Sequence, residues 1–157
     1  MQRYLIAFCL SVLFCSATSA RAEDDMATQL IAEINAFRVA QGVQPLRTDP
    51  RLTAAAARHS RNMAEQDCFD HICPGGSSPG QRLAEAGYRY RKFAENIAAG
   101  QPTAKNVVAG WKQSPPHRRN MLLPDARDVG AGYFMIDPDD GKVAYRHYWT
   151  MLYGVTF

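Results

Sequence analysis

The chain has 157 residues, 46% of them hydrophobic and 21% charged, which fits one domain with a short appendage and excludes disorder throughout. With 11 Gly and 9 Pro it is neither collagen-like nor of low complexity. A net charge of +3 argues against nucleic acid or an anionic membrane as the main partner, since both reward dense positive charge.

Met1 to Arg3 supplies a short positive start, and Tyr4 to Cys15 is an uncharged apolar run. Ser16 to Ala22 is built from small residues and ends Ala20-Arg21-Ala22. That succession is the pattern of a cleavable export signal. The apolar run is short for a bilayer anchor, which takes about 20 residues. The bulky Phe14 before Cys15 does not suit a lipid-attachment cysteine. The sequence therefore predicts a signal peptide over 1–22, cut before Glu23. It predicts one domain over 23–157 in a secreted or periplasmic protein, with no stable membrane insertion after cleavage. Without Arg3 and Arg21, 16 cationic side chains stand against 15 acidic ones.

Cys9 and Cys15 leave with the signal, so Cys68 and Cys73 remain. Two such neighbours pair in an oxidising compartment. The alternative is a zinc site from Cys68, His71 and Cys73, but C-x2-H-x-C matches no common zinc module.

A first helix is expected over Asp24 to Gln41, with Met26, Leu30, Ile34 and Phe37 on one stripe and Gly42 as the stop. Asp49-Pro50 is an N-cap followed by proline, opening a second helix to about Gln66. Ser78-Pro79-Gly80-Gln81 reads as a capping box, and Gly87 closes that third helix. A fourth helix runs from Thr103 to Gln113, and Ser114-Pro115-Pro116 breaks it. Val129 to Ile136 and Val143 to Val155 then read as an antiparallel hairpin joined by turn chemistry at Asp137 to Gly141. The order predicts an α+β domain of three layers, with the sheet buried on both faces.

Three residues stand out chemically. His71 lies in the loop held by the two cysteines. Glu95 is an acid inside an apolar segment, FAENIAAG, where burial costs free energy unless it is paired. His117 follows the Ser-Pro-Pro break. Two imidazoles and a carboxylate suit Zn²⁺ or another divalent ion. Glu95 and His117 equally suit acid–base catalysis. No organic cofactor is expected, because no P-loop, GxGxxG or G-x-S-x-G occurs. His59 and His147 read as packed side chains. Asp137 to Gly141 lacks the alternation of a calcium loop. Tyr88, Arg89, Tyr90, Arg91 and Lys92 read as a solvated strand edge, with an anionic polymer as the alternative.

The motif series INAFRVAQGVQPL, ARHSRNMA, FDH, SPGQRLAEAGY, AENIAAG, WKQSPPHRRNML, VGAGYF and YWTMLYG resembles the CAP or SCP superfamily. That group contains the cysteine-rich secretory proteins, antigen 5 and the plant pathogenesis-related proteins. The closest likeness is to its short bacterial secreted branch. The resemblance implies a three-layer α-β-α sandwich with a central antiparallel sheet and a cleft lined by two His and two acids. His71, Glu95 and His117 match three of these, and Ser114 stands where the second acid belongs. Ala94 replaces a Gly before Glu95, and Met151 replaces a Gln after Tyr-Trp-Thr. The family is linked to lipid and sterol binding, metal binding, proteolysis and envelope or host interaction. The leading expectation is a binding module for a divalent metal, a small apolar ligand or an envelope or host component. A metal-dependent hydrolase of peptide or cell-wall bonds is the alternative.

Overall fold

In a computed structural model the structure describes residues 6–157, with side chains from Ala20 onward. Residues 1–5 of the export signal expected over 1–22 lie outside the described residues, and residues 6–22 form the start of the first helix. Helix α1 spans Ile6–Ala40, longer than the expected Asp24 start. Its sequence has no Gly or Pro between Ile6 and Gln41 to stop it. Gly42, at φ 74°, ends the helix where an L-residue would be strained. Among the described residues no helix is long and apolar enough to cross a membrane.

Strand β1 is only Arg47–Thr48. Helix α2 runs Pro50–Glu65, capped by the Asp49 carboxylate, which accepts from Arg51 N at 2.9 Å. Helix α3 runs Pro79–Glu85, opened by a complete capping box between Ser78 and Gln81. Strand β2 (Lys92–Ala99), helix α4 (Ala104–Gln113), helix α5 (Pro115–Met121), strand β3 (Asp128–Met135) and strand β4 (His147–Val155) complete the chain. The Ser-Pro-Pro expected only to end a helix also starts the next one, because proline at the first helical positions forfeits no hydrogen bond. The final strand starts at His147 rather than Val143. Residues 143–146 belong to the preceding loop, where Arg146 takes φ 63°.

The sheet order is β1-β3-β4-β2. The three long strands are antiparallel, while β1 pairs parallel to β3, so the expected antiparallel sheet is mixed at one edge. One apolar layer joins the sheet to α1 and α4 through Leu30, Ile34, Val107, Trp111, Trp149 and Met151. The other joins it to α2 and α3 through Leu52, Ala56, Leu83 and Leu152. The alternation of β4 delivers both: Trp149, Met151 and Tyr153 face one layer, Tyr148 and Leu152 the other. The VGAG of β3 permits the second layer to close. A Cβ at Gly130 would overlap the backbone of Leu52 and Thr53, and one at Gly132 the backbone of Ala56 and Ala57. The glycines therefore let α2 lie directly on the sheet.

Candidate functional site

The Cys68–Cys73 disulfide is formed, with Cα atoms 5.8 Å apart, within the normal span. It pins the loop between α2 and α3 and with it His71, whose side chain remains 48% exposed. His71 Nδ1 donates to Glu95 Oε1 at 2.7 Å. Glu95, in the middle of β2, is 3% exposed, and its Oε2 accepts from Arg82 Nη2 at 2.7 Å. Arg82 is 1% exposed. Its Nη1 also donates to His71 O at 3.2 Å and to Ser77 O. Burying a lone carboxylate is costly, so this guanidinium is what allows an acid inside an apolar strand. The bond to Glu95 holds the His71 pKa above the ordinary histidine value, against the opposing pull of burial.

His117 enters from α5. Ser114 joins α4 to α5, and its Oγ lies 2.8 Å from His117 Nδ1, so a hydroxyl fills the place where the resemblance calls for a second acid. The imidazole stacks on Trp111, with centroids 6.1 Å apart. Trp111 Nε1 donates to Ile97 O at 3.1 Å. Asn96 Nδ2 donates to His117 O at 3.1 Å, and Asn120 Nδ2 bonds Asn96 Oδ1 at 2.9 Å and Glu95 O at 3.2 Å. These amides lash α5 to the edge strand. Burial lowers the His117 pKa, and the charge of His71 lowers it further. The His71 charge thus acts on His117, and the two pKa values are pushed in opposite directions. A cavity of about 290 Å³ opens beside His117, walled by Phe69, Trp111 and Tyr145 over Ile97 and Ala98.

Each imidazole spends Nδ1 inside the protein, which leaves Nε2 as its donor to a ligand. Glu95 has both oxygens engaged and stands behind His71 rather than beside it. Among the described residues no group of three His, Cys, Asp and Glu side chains is placed to hold a metal ion. For a divalent ion the donors that remain are His71 Nε2 and His117 Nε2, with Glu95 and Ser114 as the outer partners that orient such ligands.

Residue spacing missed Arg82, Asn96 and Asn120. The only advance signal was that a buried Glu95 requires a partner. His59 is buried, with its Nε2 3.0 Å from Asp70 O, and His147 bonds the Tyr133 hydroxyl through Nδ1 at 2.8 Å. Asp139, in the turn, accepts from Arg146 N and from the Tyr148 hydroxyl. Met151 is fully buried in the layer facing α1, so its replacement of Gln alters core rather than cleft.

The model of the cysteine-rich secretory protein family matches residues 31–153. The Bacillus subtilis protein YkwD is 39% identical over 99 residues, 63% of this chain and 38% of that one. This chain thus spans little more than a third of that relative's length. A crystal structure of an extracellular protein containing a SCP domain from Bacillus anthracis superposes with a TM-score of 0.77 at 23% identity, covering 88% of this chain and 43% of that one. An outer surface protein from Borrelia burgdorferi superposes with a TM-score of 0.72 at 21% identity, covering 82% of this chain and 90% of that one. At these identities the two structures establish the shared fold.

Proposed function

The chain belongs to the cysteine-rich secretory protein family, and from that premise we propose that it is exported after loss of residues 1–22 and acts outside the cytoplasm as a binding module. The disulfide and the extracellular or surface location named for the two structural neighbours support export. One observation carries the binding role: both oxygens of Glu95 are committed, one to His71 and one to Arg82. A carboxylate held that way orients an imidazole and raises its basicity, and at 3% exposure behind His71 it is withdrawn from water. Nε2 of His71 and Nε2 of His117 are then the ligand donors of the cleft. Two imidazoles fill half of a tetrahedral Zn²⁺ shell and leave open positions for a ligand's own oxygens or for water. When bound, the ion supplies Lewis acidity and a fixed attachment point. The apolar cavity beside His117 supplies room for a small apolar group, at the low end of ligand-site volumes.

Calorimetric titration of Zn²⁺ into residues 23–157 tests this. The expected result is one site, weakened roughly tenfold or more in His71→Ala and in His117→Ala. Equal affinity in the wild type and both variants overturns the metal-binding role. Chelator-sensitive turnover of a peptide or cell-wall substrate library, abolished by Glu95→Gln, replaces binding with hydrolysis.

A further inference from the structure

Strand β2 is an edge of the sheet, and α5 covers only part of it. Alternate residues of a strand turn their backbone groups to the same side. Glu95 O and Ile97 O both point away from β4, where they receive Asn120 Nδ2 and Trp111 Nε1. By the same two-residue repeat the Phe93 N–H and C=O point outward too. There the edge borders a groove of about 670 Å³. Its walls are Phe93, Ala94, Leu122 and Leu123, all partly exposed. The far wall is fixed, since the buried Arg38 donates to Met121 O at 2.7 Å and Leu123 O at 3.1 Å.

The rim is entirely basic: Lys92, Arg118 and Arg119 line the groove and no acidic residue does. Arg118 is engaged with Gln41 at 2.7 Å, whereas the Lys92 and Arg119 side chains have no hydrogen-bond or ion-pair partner among the described residues. A free strand edge, an apolar floor and unpaired cations at the rim define one kind of occupant. An edge offers main-chain hydrogen bonds to an extended backbone, a pocket takes an alternate side chain, and cations select acidic neighbours.

We propose that this groove binds an extended acidic peptide segment. It adds to β2 at Phe93, buries one apolar side chain against Leu122 and Leu123, and sets acidic side chains near Lys92 and Arg119. The site is separate from the His71 and His117 cleft and does not depend on metal there.

The probe is fluorescein-labelled Ac-Glu-Val-Leu-Val-Glu-NH2, followed by anisotropy against residues 23–157 with excess chelator present. Saturable binding is expected, weakened about tenfold or more when Lys replaces both Glu or in the double variant Lys92→Glu with Arg119→Glu. Pairing along one edge has a further signature. N-methylating either the leucine or the two valines costs about tenfold, and the other pattern binds within about twofold of the parent. Circular dichroism checks that the double variant stays folded, and the peptide arms stand without it. Four results overturn the proposal: no saturable binding, equal binding of the lysine peptide, equal binding of both N-methylated peptides, or full displacement by heparin at matched charge concentration. The last identifies a patch for anionic polymers, and displacement by dodecanoate with equal N-methyl isomers identifies a site for amphiphilic anions.

Discussion

Arg82 and Glu95 meet at 2.7 Å with side chains only 1% and 3% exposed, and the pair joins three separate segments. Arg82 belongs to α3, Glu95 to the edge strand, and the Arg82 guanidinium also holds His71 O in the disulfide loop. Removing one partner leaves a buried charge uncompensated, which typically costs about 3–5 kcal/mol. Arg82→Ala is therefore expected to lower unfolding stability by about that amount in urea titration. The paired replacement of Arg82 by Met and Glu95 by Leu recovers most of the loss, because both desolvated charges go together. A single variant within about 0.5 kcal/mol of the wild type contradicts the buried-pair account.

Glu95 also sets the chemistry of the exposed imidazole. Its carboxylate holds the His71 pKa up, chiefly through the 2.7 Å hydrogen bond. Glu95→Gln keeps the shape and removes the charge. The His71 pKa is expected to fall in this variant, followed by the imidazole proton shifts in an NMR pH titration. The His117 pKa, lowered in part by the His71 charge, rises slightly wherever His71 becomes neutral. An unmoved His71 titration is incompatible with the relay.

The fold's local grammar was legible where the physics is local. The caps at Asp49 and Ser78 each bond an amide two or three residues away, so the sequence alone locates them. The alternation of Trp149, Met151 and Tyr153 is likewise visible as a period of two. Strand β2 was not legible as a strand, because KFAENIAA places a carboxylate and an amide within it. Those polar groups are satisfied by His71, Arg82, His117, Asn120 and Tyr153, which lie 13 to 57 residues away. The proximity of His71 to Glu95 crosses 24 residues and one helix, a closure that spacing does not encode. The expectation that Glu95 needs a partner was chemical rather than positional, and so it reached the pairing without reaching Arg82.

Gly132 offers a test of the packing between sheet and helix. A methyl group there falls on the backbone of Ala56 and Ala57 in α2, and backbone cannot swing aside as a flexible side chain can. Gly132→Ala forces α2 away from β3. The expected loss is about 3 kcal/mol, at the upper end of overpacking costs, seen as a lower urea midpoint. Gly110→Ala, on α4 with nothing near its added methyl, is expected to be neutral or stabilising by up to about 1 kcal/mol. Equal effects at the two glycines would show that the close approach of α2 does not govern stability.

His59 gives the sharpest pH dependence. It is 1% exposed, beneath the disulfide loop, with its Nε2–H bonded to Asp70 O. Burial pushes its pKa down from 6.5 to about 4. Between those values the unfolded chain binds the proton and the folded one does not, so acid favours unfolding. The stability that a neutral His59 protects is fully present above pH 6.5 and is lost progressively as pH falls towards 4. Over the window from about pH 7 to about pH 5 the loss is about 2 kcal/mol. His71 acts oppositely: its raised pKa means that protonation favours the folded state as pH falls. The difference between wild type and His59→Gln cancels that contribution, because glutamine keeps a donor for Asp70 O and does not titrate. Urea unfolding of both proteins at several pH values across the window is the measurement. The wild type is expected to lose about 2 kcal/mol more than the variant, and parallel curves would mean that His59 takes up its proton within the folded protein at an ordinary pH.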